Sequence, residues 1–205
     1  SQEIETENWI TDLNFLKTEL PKKHKNLFFK ITKNEFENGI EKIIKQLDKD
    51  TDIETSMKLH QLIAKIGDSH TSLSTSHITQ KRKVFPVDFM WLKEGLFISG
   101  TTKDNYEILD KKILSINGNK INTILDSLKT LNVAENTALI KTNSSRLLES
   151  NVILKYFGFS KQNDSIYNLE LSDINGNISH YKLMEVENDI NFKKNKTFLK
   201  INAEK

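Results

Sequence analysis

Cysteine is absent from the 205 residues. Disulfides, thiol catalysis and cysteine-ligated metals are thereby excluded. Only two prolines and seven glycines occur, scattered mostly at expected turns. They form neither a low-complexity linker nor a phosphate-binding glycine loop. No apolar run approaches the roughly 18 residues that a membrane span requires. A signal peptide is also missing: Ser1 opens a polar stretch with no apolar core behind it. The absent initiator Met points to a processed or trimmed chain, and Asn195–Lys205 reads as a polar tail or as the start of something further. A strong charge of one sign is lacking too, the net charge being +2. The small basic cluster at Lys193, Lys194 and Lys196 reads as a solvated face, so no nucleic-acid partner is expected.

What remains is a composition of 37% hydrophobic and 28% charged residues. It fits a soluble globular protein of one large or two small domains with a real core. The first third reads helical. Trp9, Leu13, Leu16 and Leu20 fall on one helix face, and Pro21 is expected to stop that helix. A loop, Lys22–Leu27, should follow. Thr32-Lys33-Asn34-Glu35 has the pattern of a capping box. Phe36, Ile40, Ile43, Ile44 and Leu47 form a second stripe. Asp52 is the expected N-cap of a third helix carrying Ile53, Met57, His60, Ile63 and Ile66, with Gly67 at its end.

The pattern then changes. Thr71–Thr75 reads as short and β-like. Val84–Leu92 and Leu96–Thr101 read as strands joined by a turn at Lys93-Glu94-Gly95. Pro86 makes the first an edge strand or a bulged one. Ile113–Asn117 reads as a strand with a Gly118-Asn119 turn after it. Ile121, Ile124, Leu125 and Leu128 suit a short helix. Ser144–Phe157 reads as one helix ending at Gly158. Ser165–Ser172 and Ile178–Val186 form a hairpin around Asn175-Gly176. The expected fold class is α+β: an N-terminal helical domain over 1–75, then a mixed α/β domain over 76–205 ending in a hairpin and a polar tail.

Hydrolysis by serine needs a nucleophile, a base and oxyanion donors. No Gly-x-Ser-x-Gly elbow is present. Ser179-His180-Tyr181-Lys182 matches Ser-x-x-Lys on paper, but in a strand its ends face opposite ways. The histidines, at 24, 60, 70, 77 and 180, show no helical metal-ligand spacing, so neither metal nor cofactor is expected. The aromatic groups Phe28-Phe29, Phe89/Trp91 and Tyr156/Phe157 read as core. Gly67-Asp68-Ser69-His70-Thr71 is the most informative segment. It lies where a helix gives way to a strand, a junction that exposes side chains on a rigid scaffold. A histidine there can serve as a general base. It can equally be a helix end at which Asp68 and Ser69 satisfy backbone groups while His70 packs on the sheet.

Three segments, taken in order, resemble the S41 family of serine peptidases, which includes the tail-specific and tricorn-like enzymes. Trp9–Leu16 and Leu20–Phe28 are similar to the family's N-terminal helical domain. Leu62–Thr71 resembles its helix ending in Gly-Asp-x-His-Thr. Phe85-Pro86-Val87 through Trp91, Gly95–Ile98 and Lys112–Gly118 resemble the entry to its PDZ-like segment, and Glu135-Asn136 is a further match. The resemblance covers residues 9–158. It implies a PDZ-like second domain, polypeptide as substrate, and an extracytoplasmic location for the full protein. It also implies a catalytic serine in a later α/β domain that this sequence lacks, so the chain alone should not hydrolyse. In the tricorn-like branch a Ser-His pair on the N-terminal side supplies the base, and Ser69-His70 stands in that motif. In the C-terminal-processing branch the base is a lysine beside the serine. Two departures stand out. Asp110 occupies a position where glycine commonly precedes the PDZ-like segment, and a Gly-Leu-Gly-Phe carboxylate-binding loop is missing.

Two functions follow as expectations. One is the substrate-handling, non-nucleophile portion of an S41-type peptidase, partnered by its catalytic domain, with His70 open to that partner. The other is a stand-alone PDZ-like binding or scaffold module that adds a peptide strand to an open sheet edge beside an apolar groove. The sequence leaves the oligomeric state open.

Overall fold

A computed structural model describes residues 4–68, 70–74, 83–132, 137–188 and 196–198. The protein is a mixed α+β chain of helices and one antiparallel sheet. It divides into two compact units. One is Ser1–Ser74 with Thr130–Thr137; the other is Thr75–Lys129 with Ala138–Lys205. The return of 130–137 to the first unit has no signal in the sequence.

Among the described residues, three helices build the first unit: α1 (Thr6–Lys23), α2 (Lys33–Ile44) and α3 (Asp52–Ala64). Their apolar stripes meet in one core that includes Leu13, Phe36, Ile40, Leu62 and Ile66. Trp9, Leu16 and Leu20 pack against it from α1. Pro21 does not stop α1, which continues through Lys23. Pro21 cannot donate to the Lys17 carbonyl four residues back, and the helix runs only two residues beyond it. The capping box expected at α2 is present: the Thr32 hydroxyl accepts from Glu35 N–H, and Glu35 accepts from Thr32 N–H. The cap of α3 is Thr51, paired with Glu54, rather than Asp52. The Asp52 carboxylate is taken by α1, accepting from Trp9 Nε1–H at 2.8 Å and from Ile4 N–H at 2.9 Å. Gly67 ends the α3 region with φ +71°, a left-handed conformation that glycine adopts without steric cost. Gly39 lets α2 and α3 approach closely, since a Cβ there would stand 2.5 Å from Leu62 Cδ1.

Among the described residues, seven strands form the sheet of the second unit: β1 (Val87–Leu92), β2 (Gly95–Thr102), β3 (Lys112–Ile116), β4 (Asn119–Lys120), β5 (Ile166–Ser172), β6 (Ile178–Met184) and β7 (Lys196–Phe198). Their order is β1-β2-β3-β5-β6, with β4 beside β3 and β7 beside β2, and each pairing is antiparallel. As Pro86 led one to expect, β1 pairs only with β2 among the described residues, and its register shifts at Asp88/Phe89. Inward-facing Tyr167, Leu169, Leu171 and Leu183 are buried. Phe85 stacks on the Tyr167 ring. Helix α4 (Ile121–Lys129) buries Ile121, Ile124, Leu125 and Leu128.

Several expectations shift. The turn after β3 is Asn117-Gly118, with φ +51° and +78°, so both central residues are left-handed as a two-residue hairpin turn demands. Asn119 already belongs to β4. Asp110 is also left-handed, at φ +66°, and so takes the backbone shape that glycine takes easily. Ser144–Phe157 is two helices, α5 (Thr137–Leu147) and α6 (Asn151–Tyr156). Between them the Leu148 carbonyl accepts from Tyr167 Oη–H and the Glu149 carbonyl from Phe85 N–H. Thr71–Ser74 is coil rather than strand. Phe29 is 75% exposed and Phe28 38%, so this pair is not core.

Candidate functional site

His70 is exposed, one turn beyond the end of α3. Its backbone is held by Asp68, whose Oδ1 accepts His70 N–H at 3.0 Å. Thr71 N–H closes the same turn onto the Asp68 carbonyl at 3.0 Å. Such a carboxylate-capped turn follows from aspartate's short side chain, which reaches its own backbone two residues on. Ser69, the other residue of the expected catalytic pair, and His77 lie outside the described residues. The Glu135-Asn136 match does too.

The second oxygen of Asp68 faces inward. Thr71 Oγ1 donates to Oδ2 at 2.9 Å, and His24 Nε2 lies 2.9 Å from both Oδ2 and Thr71 Oγ1. Asn26 N–H donates to His24 Nδ1 at 3.1 Å. These donors hold the Asp68 carboxyl below the ordinary carboxylate range, His70 N–H first, then Thr71, with His24 adding to them. One residue earlier, the Gly67 carbonyl accepts from Lys30 Nζ at 3.0 Å. The loop after α1 thus braces the loop after α3 at two points. The partnership of His24 with Asp68 crosses 44 positions. Within the sequence His24 stood out only as part of the Leu20–Phe28 segment.

The sheet carries a second concavity. A groove of about 560 Å³ opens on the outward face of β3, β5 and β6, lined by Ser115, Asn168, Glu170, His180 and Lys182 among others. Ser115 Oγ–H donates to Glu170 Oε2 at 3.0 Å. His180 lies opposite Glu170 in the ladder, and Lys182 opposite Asn168. Ser179 pairs with Leu171 on the other face, so Ser179 and Lys182 are not brought together. β6 is an edge strand among the described residues. The groove beside it sets these polar side chains in a lining that is apolar for the larger part, Leu169 and Tyr181 included.

No family model matches the sequence, and no curated protein matches it. Solved structures do. The chain is similar to mature CPAF, a chlamydial serine protease, complexed with lactacystin, with a TM-score of 0.62 at 16% identity over 88% of this chain and 35% of that one. A serine-to-alanine variant of CPAF matches with a TM-score of 0.62 at 14% identity over 90% and 34% of the two chains. A further structure of mature CPAF matches at 0.59, with 14% identity over 88% and 34%. At such identities the likeness is one of fold. The chain has a fold related to part of a serine protease, and it spans about a third of the length of the solved structures it matches.

Proposed function

We propose that this chain is the non-nucleophile, polypeptide-handling portion of an S41-type serine peptidase. His70 is the general base that it supplies, with Ser69 beside it. The observation that carries this reading is the presentation of His70: an exposed imidazole at a helix end, on a backbone pinned by a carboxylate. The fold likeness to part of a serine protease supports it. In the reaction His70 takes the proton of a serine hydroxyl as that oxygen attacks the scissile carbonyl. It then returns the proton to the leaving amine. The serine and the oxyanion donors come from a region other than these residues, and the isolated chain does not hydrolyse.

The test uses the product of the whole reading frame, assayed on an unstructured polypeptide and with a fluorophosphonate that labels active serines. The whole product should cleave and be labelled, and the 205-residue chain should do neither. His70→Gln in the whole product should cut kcat by on the order of 10³-fold or more, as loss of a catalytic base does. An unchanged kcat in H70Q would remove the base role. A whole product with no labelled serine would remove the peptidase reading.

One observation favours a second reading, a binding module without catalysis: β6 offers a seven-residue edge. Peptides with free carboxylates, titrated against the chain, should bind if that reading holds, with loss of exchange at the outward-facing amides of β6.

A further inference from the structure

Both His24 nitrogens are engaged, in a way that assigns its proton. Nδ1 accepts from Asn26 N–H, so in the neutral ring the proton is on Nε2. Nε2–H then points at Asp68 Oδ2 and Thr71 Oγ1, each 2.9 Å away. Thr71 Oγ1 spends its own proton on Asp68 Oδ2 and keeps its lone pairs for the imidazole. Two donors therefore converge on Oδ2, and Oδ1 is left for His70 N–H at 3.0 Å. The His24 side chain is only 14% exposed, against 34% for Asp68. The local turn places one donor on each carboxylate oxygen, His70 N–H on Oδ1 and Thr71 Oγ1–H on Oδ2, and the distant ring adds a second donor on Oδ2 from outside the turn. His24 leaves the end of α1 and Asp68 follows α3, so one imidazole locks two helix ends together beside an exposed one.

We propose that His24 is a positioning residue: acting through Asp68, it sets the direction in which His70 leaves the backbone. This rests on the reading of His70 as the base, and the test separates the two. His24 touches no reacting atom in it. A role in fold stability alone would leave His70 no more affected than any other loop amide.

The experiment is nitrogen-15 NMR on the whole 205-residue chain at neutral pH. In the unsubstituted chain, the long-range proton–nitrogen pattern of His24 should be that of the Nε2–H tautomer; an Nδ1–H tautomer would overturn the proposal. Two variants then divide the ring's functions. His24→Asn keeps an acceptor for Asn26 N–H but has nothing that reaches Asp68. His24→Gln keeps a donor at the reach of Nε2 and gives up the near acceptor. Exchange of the His70 amide should accelerate by about tenfold in H24N, the loss of one charge-assisted bond, and stay within about twofold in H24Q. Equal behaviour of the two variants, or an unmoved His70 amide in H24N, overturns the proposal. Should H24N not fold, Thr71→Val removes the other donor to Oδ2, and a smaller acceleration confined to His70 is expected; none would count against it. In the whole product, H24N should lower kcat with KM held, and H24Q should restore most of it. If that product has no peptidase activity at all, the functional reading falls, and the NMR results still decide the role of His24.

Discussion

Two turns, one in each unit, are organised by an aspartate in nearly the same way. In the β5–β6 hairpin, Asp173 accepts from the backbone of Asn175 and Asn177 and from the Asn177 side chain. In the helical unit, Asp68 accepts from the backbone of His70 and the hydroxyl of Thr71. Both carboxyls are held below the ordinary range, Asp173 chiefly by Asn177 and Asp68 chiefly by His70. The difference is His24. The hairpin turn draws its donors from its own residues, and its task ends with reversing the chain. The His70 turn recruits a ring from another helix end. The hairpin turn is closed by its own residues, whereas the His70 turn has a second anchor from another helix end.

The strongest way to break this contrast is to remove the packing beneath the anchored turn. Phe36 is fully buried in the same core as Leu62 and Ile66. Phe36→Ala should cost about 3–5 kcal/mol, read as a lower midpoint in urea unfolding followed by Trp9 fluorescence. A cost below about 1 kcal/mol would mean that the helical core does not support the turn as described.

Beneath the hairpin, Tyr167 is the matching target. Tyr167→Phe leaves the buried Leu148 carbonyl without its donor and should cost about 1–3 kcal/mol by urea unfolding. Its pH dependence sharpens the point. Burial raises the Tyr167 phenol well above 10.0, with Glu185 adding to the effect. The folded state therefore keeps a proton that the unfolded chain loses above about pH 10. The contribution is whole below that pH and falls as pH rises toward the raised folded value. Unfolding midpoints above pH 10 should decline less steeply in Y167F than in the unsubstituted chain.

The two aspartates allow a direct comparison in acid. Their folded values are lowered, so what they contribute is present above the unfolded carboxylate value and is lost as pH falls through the lowered one. Amide exchange at His70 and at Asn177, corrected for the intrinsic rate, should accelerate together below that range. In H24N only His70 should already be fast at neutral pH. Similar behaviour of both amides in H24N would erase the distinction between the turns.

The smallest expected effect has the opposite sign. Asp110 is left-handed at φ +66°, a conformation that costs most residues roughly 1–2 kcal/mol and aspartate less. Asp110→Gly should raise stability by up to about 1 kcal/mol in urea unfolding. A loss would mean that the Asp110 side chain has a role of its own.

Much of the fold was legible because its signals are local. Thr32 and Glu35 sit three apart and cap each other. The turn expected at Gly118-Asn119 occurs one residue earlier, at Asn117-Gly118. Two of the misreadings share one cause, a partner distant in sequence. Asp52 looked like a cap, but its oxygens belong to Trp9 and Ile4. Ser144–Phe157 had helical spacing throughout, but the Leu148 and Glu149 carbonyls turn to Tyr167 and Phe85. The site divided likewise. The Asp68 turn could be read from its own residues, and the hold of His24 upon it could not.

Gly39 carries a last consequence. The contact that it permits works as a notch, one missing methyl into which Leu62 of α3 seats. A wedge there would push the Leu62 side chain out of its seat. Leu62 lies at the end of α3 from which the His70 segment departs. The seating of α3 on α2 thus depends on a residue with no side chain at all, and a probe of that seat needs to add only one carbon.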